Sequence, residues 1–118
     1  MRVLIIDDNQ ELREFFALSL AEVEIEAVVA QNPDDALQKI ETGNFDAVVL
    51  DSIMGDSDGF ALAQRIRATR AGRSLPLLIM SSISTALARR MAESVGCTKF
   101  LVKPFGLALF IESVKGLA

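Results

Sequence analysis

The sequence has few of the residue types on which many active sites and structural cross-links depend. Its 118 residues include no histidine, no tryptophan, no tyrosine and a single cysteine, Cys97. Internal disulfides, zinc sites of the usual Cys/His kind and acid–base catalysis by histidine are therefore excluded. We assign Cys97 no functional role, because a small residue before an apolar stretch is usually a buried one.

Long apolar runs are also missing. Polar or charged residues interrupt every apolar run before it reaches the roughly 18 residues that cross a bilayer. The apolar start of the chain ends at Asp7 and Asp8, which is not typical of a signal peptide. We therefore expect a soluble, cytoplasmic protein with no role at a membrane.

The composition is that of one globular domain, which we place at residues 1–118. Hydrophobic residues make up 51% of the chain and charged residues 24%, so there is enough apolar material for a core, and the length is typical of a single domain. The net charge is −4. This acidic balance argues against direct binding of nucleic acid by the domain.

Short apolar runs alternate with longer amphipathic segments. The runs that predict strands are Arg2–Ile6, Glu26–Ala30, Phe45–Leu50, Leu77–Met80 and Lys99–Val102. The segments that predict helices are Glu11–Val23, Pro33–Glu41, Phe60–Arg70, Thr85–Val95 and Leu107–Leu117. This alternation predicts an open, doubly wound α/β domain: a five-stranded parallel sheet covered on both faces by five helices.

Local signals support the predicted helices. Asn32 followed by Pro33 is typical of a helix N-cap and first turn, and Gly43 and Gly96 follow helical segments where a left-handed C-cap is expected. In the first helix one apolar face is predicted, made of Leu12, Phe15, Phe16 and Leu20. Four arginines in and just after the third helix predict mainly a solvated helix face, with steering of a partner as the alternative; they are Arg65, Arg67, Arg70 and Arg73.

Chemically capable side chains follow four of the predicted strands. They are Asp7 and Asp8, Asp51, Ser81 and Lys103. Because the carboxyl ends of parallel strands meet at one edge of a sheet, we expect these side chains to converge. Converging carboxylates repel one another unless a cation joins them. Mg²⁺ suits such a group, with Asp8 and Asp51 as direct ligands and Asp7 acting through water.

These residues together form the parts needed for phosphoryl transfer. Asp51 is a possible nucleophile toward phosphorus, because carboxylates form aspartyl phosphates. Lys103 would neutralise one phosphoryl oxygen, and the Ser81 hydroxyl would donate a hydrogen bond to another. No general base is needed, because a carboxylate is already ionised.

The ordered set closely resembles the receiver domain of bacterial two-component response regulators, the CheY-like family, over essentially the whole chain. The segment Asp51–Gly59 is similar to the family pattern D-x-x-M-P-x-x-D-G. Ser81 follows Asp51 by 30 residues, and Lys103 follows Ser81 by 22, both spacings that the family uses. Phe100 lies three residues before Lys103, at the position of the family's aromatic switch.

The resemblance implies a flavodoxin-like fold with strand order 2-1-3-4-5. It also implies that a histidine kinase or a histidine phosphotransfer protein passes a phosphoryl group to Asp51 in the presence of Mg²⁺, with the main-chain carbonyl of Ile53 as a further metal ligand. Ser81 would move toward the phosphoryl group and Phe100 would turn inward. The face formed by the fourth helix, the fifth strand and the fifth helix would then bind an effector protein or a fused output domain. Such a domain is a signalling switch and not an enzyme.

Several positions depart from the family pattern. Gly55 replaces the common proline, so the loop after Asp51 is expected to be less rigid. Ile53 and Ile83 place apolar side chains beside the site, where we expect them to hinder an attacking water. The last helix has more apolar residues than one buried face needs, which leaves open either a fully covered helix or a hydrophobic docking patch.

Three other functions are weighed against the switch. A phosphatase that uses an aspartyl phosphate would need a second aspartate two residues after the nucleophile, and position 53 is isoleucine. A nucleotide or flavin module is discarded because the chain has no G-x-x-x-x-G-K-[ST] or G-x-G-x-x-G motif. A degenerate receiver that only binds partners conflicts with the complete set of site residues.

Overall fold

The computed structural model describes residues 1–118, in which five main strands alternate with five helices. In chain order they are β1 (Arg2–Ile6), α1 (Gln10–Ala21), β2 (Glu26–Ala30), α2 (Pro33–Thr42), β3 (Ala47–Asp51), α3 (Gly59–Ala68), β4 (Leu77–Ser81), α4 (Ala86–Ser94), β5 (Lys99–Val102) and α5 (Leu107–Lys115). Between β3 and α3, the two-residue strands Ile53–Met54 and Ser57–Asp58 form a separate antiparallel ribbon.

The five strands form one sheet in the order β2-β1-β3-β4-β5, and every neighbouring pair is parallel. This confirms the predicted architecture and the strand order implied by the resemblance. The strand order reverses between β1 and β3, which is where ligands bind in open α/β sheets. No helix has both the length and the apolar character needed to span a membrane.

Alternate strand residues build two cores, one on each face of the sheet. Leu4 and Ile6 of β1 pack with α2, α3 and α4, whereas Val3 and Ile5 pack with α1 and α5. The central strands β1, β3 and β4 are therefore apolar on both sides, because helices cover both of their faces. The sheet is held as a rigid platform, and its carboxyl edge carries the polar residues.

Two strands end later than predicted. β3 extends to Asp51 and β4 extends to Ser81, because Asp51 lies opposite Met80 in the parallel ladder and the N–H of Ser52 still donates to the Met80 carbonyl at 2.8 Å. Asp51 and Ser81 are thus the last residues of buried strands and not the first residues of loops. Both are buried as a result.

The predicted apolar face of α1 is only partly correct. Phe16 and Leu20 are buried, but the Phe15 side chain is 50% exposed. Arg13 is buried in its place, and its guanidinium donates to the main-chain carbonyl of Asp7 at 2.7 Å. The helix thus uses one turn to support the backbone of an acidic site residue.

The helix ends confirm two predictions and correct one. Asn32 caps α2 by accepting from the N–H of Asp35 at 2.8 Å, and Gly96 has a φ of +69°. Gly43 is not left-handed, since its φ is −107°. Its missing side chain serves close packing instead, because a Cβ there would lie 2.7 Å from Cε2 of Phe45.

The prediction of a solvated side chain is wrong for Arg67. Its guanidinium donates to five main-chain carbonyls at 2.6–3.4 Å. They belong to Gly72, Arg73, Leu75, Val95 and Gly96. Burial lowers the pKa of Arg67, and the neighbouring Cys97 opposes that shift. One side chain on α3 therefore joins the loop before β4 to the loop before β5.

The last helix, α5, was predicted either to be fully covered or to carry a hydrophobic patch, and each description fits part of it. Phe110 and Val114 are completely buried against the α1 face of the sheet. Leu107 and Leu109 are 39% and 49% exposed. The helix is thus covered on one face and leaves two leucines near its start open to solvent.

Candidate functional site

The structure brings the predicted site residues to one edge of the sheet, at the carboxyl ends of four strands. Asp7 and Asp8 follow β1, Asp51 ends β3, Ser81 ends β4 and Lys103 follows β5. The parallel ladder sets this arrangement, because it places Asp51 opposite Met80 and Ser81 opposite Val102. The convergence expected from the strand ends is therefore present.

The centre of the site is an ion pair between Lys103 and Asp51. Nζ of Lys103 lies 2.5 Å from Oδ2 of Asp51, and the two side chains are 29% and 9% exposed. The second oxygen, Oδ1, accepts from the N–H of Ile53 at 3.2 Å. The carboxylate is thus held through both of its oxygens.

Gly59 explains how α3 comes so close to this carboxylate. A Cβ at Gly59 would lie only 2.0 Å from the main-chain oxygen of Asp51, so no larger side chain fits there. The N–H of Gly59 donates to the carbonyl of Ser52 at 2.8 Å, and Asp58 caps the helix through the N–H of Phe60. The Asp-Gly pair of the motif therefore anchors α3 to the end of β3.

Asp7 is buried with one oxygen unpaired. Its Oδ1 accepts from the N–H of Asn9 at 2.9 Å, but Oδ2 is buried without a hydrogen-bond partner. Burial raises the pKa of Asp7, the negative charges of Asp51 and Asp8 raise it further, and the Asn9 hydrogen bond and Lys103 oppose the shift. An unpaired buried carboxylate oxygen is costly, and it is the kind of atom that a cation would stabilise.

Asp8 lies at the exposed rim of the site, next to the turn of the ribbon. Gly55 has a φ of +59°, and a Cβ there would lie 3.1 Å from Oδ2 of Asp8. Proline cannot adopt this backbone conformation, because its ring fixes φ near −65°. The glycine that replaces the family's proline therefore forms a tight turn that approaches the acidic pair closely.

The acidic residues do not yet form a closed metal site. No three acidic, cysteine or histidine side chains are grouped closely enough to hold a metal ion. The residues nevertheless fit a hard divalent cation, because Asp7 has an unpaired buried oxygen and lies within reach of the negative charges of Asp8 and Asp51. Mg²⁺ prefers such oxygen ligands and retains several waters.

Ser81 does not hydrogen-bond to Asp51. Its hydroxyl accepts from the N–H of Ile83 at 3.0 Å and from the hydroxyl of Ser52 at 2.7 Å, and it donates to the Ile83 carbonyl at 3.1 Å. Ser52 was not among the residues predicted for the site. The only available signal was a hydroxyl residue directly after a buried strand, which is common in turns.

Phe100 on β5 is partly buried and packs against the core on the α2–α4 face. The Arg89 guanidinium carbon lies 5.4 Å from the centre of its ring, within the range of a cation–π contact. The predicted switch residue is thus held between the core and a charged residue of α4.

Comparison with known proteins identifies the family. A model described as the response regulator receiver domain matches residues 3–115. The chain belongs to this family. The receiver domain is 26% identical over 117 residues to the transcriptional regulatory protein CusR of Escherichia coli K12, and 31% identical to the response regulator MprA of Mycolicibacterium vanbaalenii. In both cases 99% of this chain is aligned, with 51% and 50% of the relative.

The receiver domain thus spans about half the length of the curated relatives it matches. Among solved structures it is similar in fold to the chemotaxis protein CheY4 of Vibrio cholerae, with a TM-score of 0.93, 24% identity and coverage of 99% and 98% of the two chains. It is also similar to TrrA of Thermotoga maritima, with a TM-score of 0.85, 28% identity and the same coverage. That structure is a complex with Mg²⁺ and BeF.

Replacement of Asp7 by Asn tests whether the unpaired oxygen belongs to a cation site. Without Mg²⁺ at pH 7, we expect Asp7→Asn to raise the free energy of unfolding by about 1 kcal/mol, because it removes a buried charge that lacks a partner. The raised pKa of Asp7 gives the sign: the folded state binds the proton more tightly, so the charged form lowers stability as pH rises above the unfolded value. Urea unfolding measures the effect.

With Mg²⁺ present, we expect the wild type to be more stable than Asp7→Asn. The wild type gains stability from a ligand that binds only the folded state, and we expect Asp7→Asn to lose most of that gain. Asp34→Asn is the matched control, because the Asp34 side chain is 95% exposed. Its replacement should change the free energy of unfolding by less than about 0.5 kcal/mol, both without and with Mg²⁺. Equal Mg²⁺ stabilisation of Asp7→Asn and the wild type would show that Asp7 does not contribute to the site.

Proposed function

We propose that residues 1–118 act in the cytoplasm as a phosphoacceptor receiver domain, in which Asp51 accepts a phosphoryl group from the phosphohistidine of a sensor kinase or histidine phosphotransfer protein. The observation that carries this proposal is the pairing of Lys103 with the buried Asp51 carboxylate, beside the unpaired oxygen of Asp7. The Asp51 carboxylate, the Lys103 ammonium and the unpaired oxygen of Asp7 are together at the carboxyl edge of the sheet.

The chemistry follows from these positions. An oxygen of Asp51 forms a bond to phosphorus while the bond between phosphorus and the imidazole nitrogen breaks. Lys103 faces the developing negative charge on a phosphoryl oxygen. Mg²⁺ would neutralise further phosphoryl charge. Asp8, Asp51 and the Ile53 carbonyl would hold it directly, with Asp7 acting through water.

Transfer to Asp51 would then bias a two-state equilibrium. Ser81 exchanges its present partners for a phosphoryl oxygen, and Phe100 turns inward from its contact with Arg89. The readout is the face formed by α4, β5 and α5, where Leu87 and Leu109 are 67% and 49% exposed. We propose that this face binds a downstream effector protein or a fused output domain.

Intact mass spectrometry tests the proposed function. Incubation with acetyl phosphate and Mg²⁺ should add one phosphoryl group to the wild type. A chelator should prevent the addition, and Asp51→Ala should abolish it. Asp56→Ala is the matched control, because this aspartate lies on the exposed turn of the ribbon, and it should be modified like the wild type. If the wild type gains no adduct and binds no Mg²⁺, the domain is a degenerate receiver and the proposal is wrong.

Replacement of Ile53 by Asn tests the expected protection of the phosphorylated state. Ile53 and Ile83 are 50% and 39% exposed and line one pocket beside the site. Their main-chain N–H groups donate to Asp51 and to Ser81, respectively. Because apolar side chains there hinder an attacking water, we expect Ile53→Asn to increase the rate of dephosphorylation several-fold. Loss of the mass adduct with time measures that rate. An unchanged lifetime would show that these side chains do not protect the phosphoryl group.

A further inference from the structure

Ser52 makes a hydrogen bond that nothing in the sequence motif requires. Its hydroxyl donates to the hydroxyl of Ser81 at 2.7 Å, and the two residues are 2% and 0% exposed. The bond joins the residue after the phosphoacceptor to the hydroxyl that is expected to move. It spans the ends of the neighbouring strands β3 and β4.

The backbone of Ser52 is fixed on both sides. Its N–H donates to the Met80 carbonyl at 2.8 Å, and its own carbonyl accepts from the N–H of Gly59 at 2.8 Å. Gly59 is in turn packed closely against Asp51, since a Cβ at Gly59 would lie 2.0 Å from the Asp51 carbonyl oxygen. The backbone of Ser52 is therefore held in place while its side chain contacts Ser81. If Ser81 moved toward Asp51, the Ser52 backbone would not move with it.

The hydrogen-bonding capacity of Ser81 is full in this arrangement. A serine hydroxyl has one proton to donate and two lone pairs to accept. The proton goes to the Ile83 carbonyl, and the lone pairs accept from the Ile83 N–H and the Ser52 hydroxyl. Ser81 must break this set before it can donate to a phosphoryl group on Asp51.

We propose that Ser52 is a positioning residue that holds Ser81 away from Asp51 and so sets the free-energy difference between the two states of the switch. The inference rests on the proposed function, because it concerns the same movement of Ser81. When Ser81 leaves, the Ser52 hydroxyl loses its only partner while remaining buried, and a buried donor without a partner is unfavourable. Ser52 therefore stabilises the state in which Ser81 is held, and its unpaired hydroxyl would destabilise the state in which Ser81 has moved.

Binding of beryllium fluoride with saturating Mg²⁺, measured by calorimetry, tests this role. The mimic supplies acceptor atoms at Asp51 without a chemical step. We expect Ser52→Ala to bind it about fivefold more tightly than the wild type, which corresponds to about 1 kcal/mol, the usual net value of one hydrogen bond. Affinity for Mg²⁺ alone should not change. Ser52→Cys, which keeps the size and donates only weakly, should fall between the two.

A double-mutant cycle separates positioning from a general structural effect. In a Ser81→Ala background, Ser52→Ala should leave the affinity for the mimic unchanged, because Ser52 has no hydroxyl left to hold. The inference would be overturned if Ser52→Ala alone bound the mimic no more tightly than the wild type. It would also be overturned if Ser52→Ala increased the affinity for the mimic equally with and without the Ser81 hydroxyl. Failure of the wild type to bind the mimic at all would instead contradict the proposed function.

Discussion

Replacing Lys103 with Ala is expected to lower the rate of Asp51 phosphorylation by about 10²–10³-fold, the usual effect of losing one fixed group that stabilises charge in a transition state. Nζ of Lys103 already lies 2.5 Å from Oδ2 of Asp51, so the cation is in place before the phosphoryl group arrives. Phosphoryl transfer depends mainly on positioning and charge neutralisation. The rate of adduct formation with acetyl phosphate and Mg²⁺ measures the loss.

The same substitution should leave the affinity for Mg²⁺ equal or higher, because it removes a positive charge from an acidic site. Lys103→Arg should not restore the rate, since a planar guanidinium does not reproduce a compact ammonium. Lys99→Ala provides the matched control: this lysine lies on the same strand and is exposed, so its rate should equal that of the wild type. A Lys103→Ala rate close to the wild-type value would remove Lys103 from the mechanism.

Replacing Arg67 with Ala is expected to lower the free energy of unfolding by about 3 kcal/mol, because several main-chain carbonyls lose a charged donor at once. The five carbonyls belong to two separate loops, so no single neighbouring side chain replaces the guanidinium. Urea unfolding measures the change. For a domain that is stabilised by about 5–15 kcal/mol, this is a large fraction.

Two further variants decide whether the geometry of Arg67 matters more than its charge. Arg67→Lys should recover only a small part of the stability, because three donors on one nitrogen do not reach carbonyls on opposite sides. Arg65→Ala is the control on the same helix. Its nearest acid is 3.9 Å away and both side chains are largely exposed, so the change should be below about 0.5 kcal/mol. Similar losses for Arg65→Ala and Arg67→Ala would contradict this explanation.

The elements that position the site were predictable because they depend on local patterns. Apolar runs of strand length, alternating with amphipathic segments, were enough to place all five strands within two residues at each end. Asp7, Asp51, Ser81 and Lys103 then had to meet at one edge, because parallel strands point the same way. Their convergence depended on topology and not on the details of packing.

The residues that sequence patterns missed act through contacts between distant parts of the chain. Arg67 has the spacing of a solvated arginine, and only the fold brings two loops around it. The hydroxyl of Ser52 finds Ser81 only because β3 and β4 are neighbours in the right register. Arg13 is buried while Phe15 is half exposed, and the Arg13 guanidinium donates to the carbonyl of Asp7, directly after β1.

We expect the Asp51 carboxylate, and not one of the acids around it, to form the acyl phosphate. The most direct measurement is reduction of the phosphorylated domain with borohydride, which converts a phosphorylated aspartate to homoserine, followed by peptide mass spectrometry. We expect homoserine at position 51 alone, and only when Mg²⁺ was present during phosphorylation. Homoserine at position 7, 8 or 56 would contradict this expectation. So would the absence of homoserine from every aspartate of a domain that binds Mg²⁺ and carries the mass adduct.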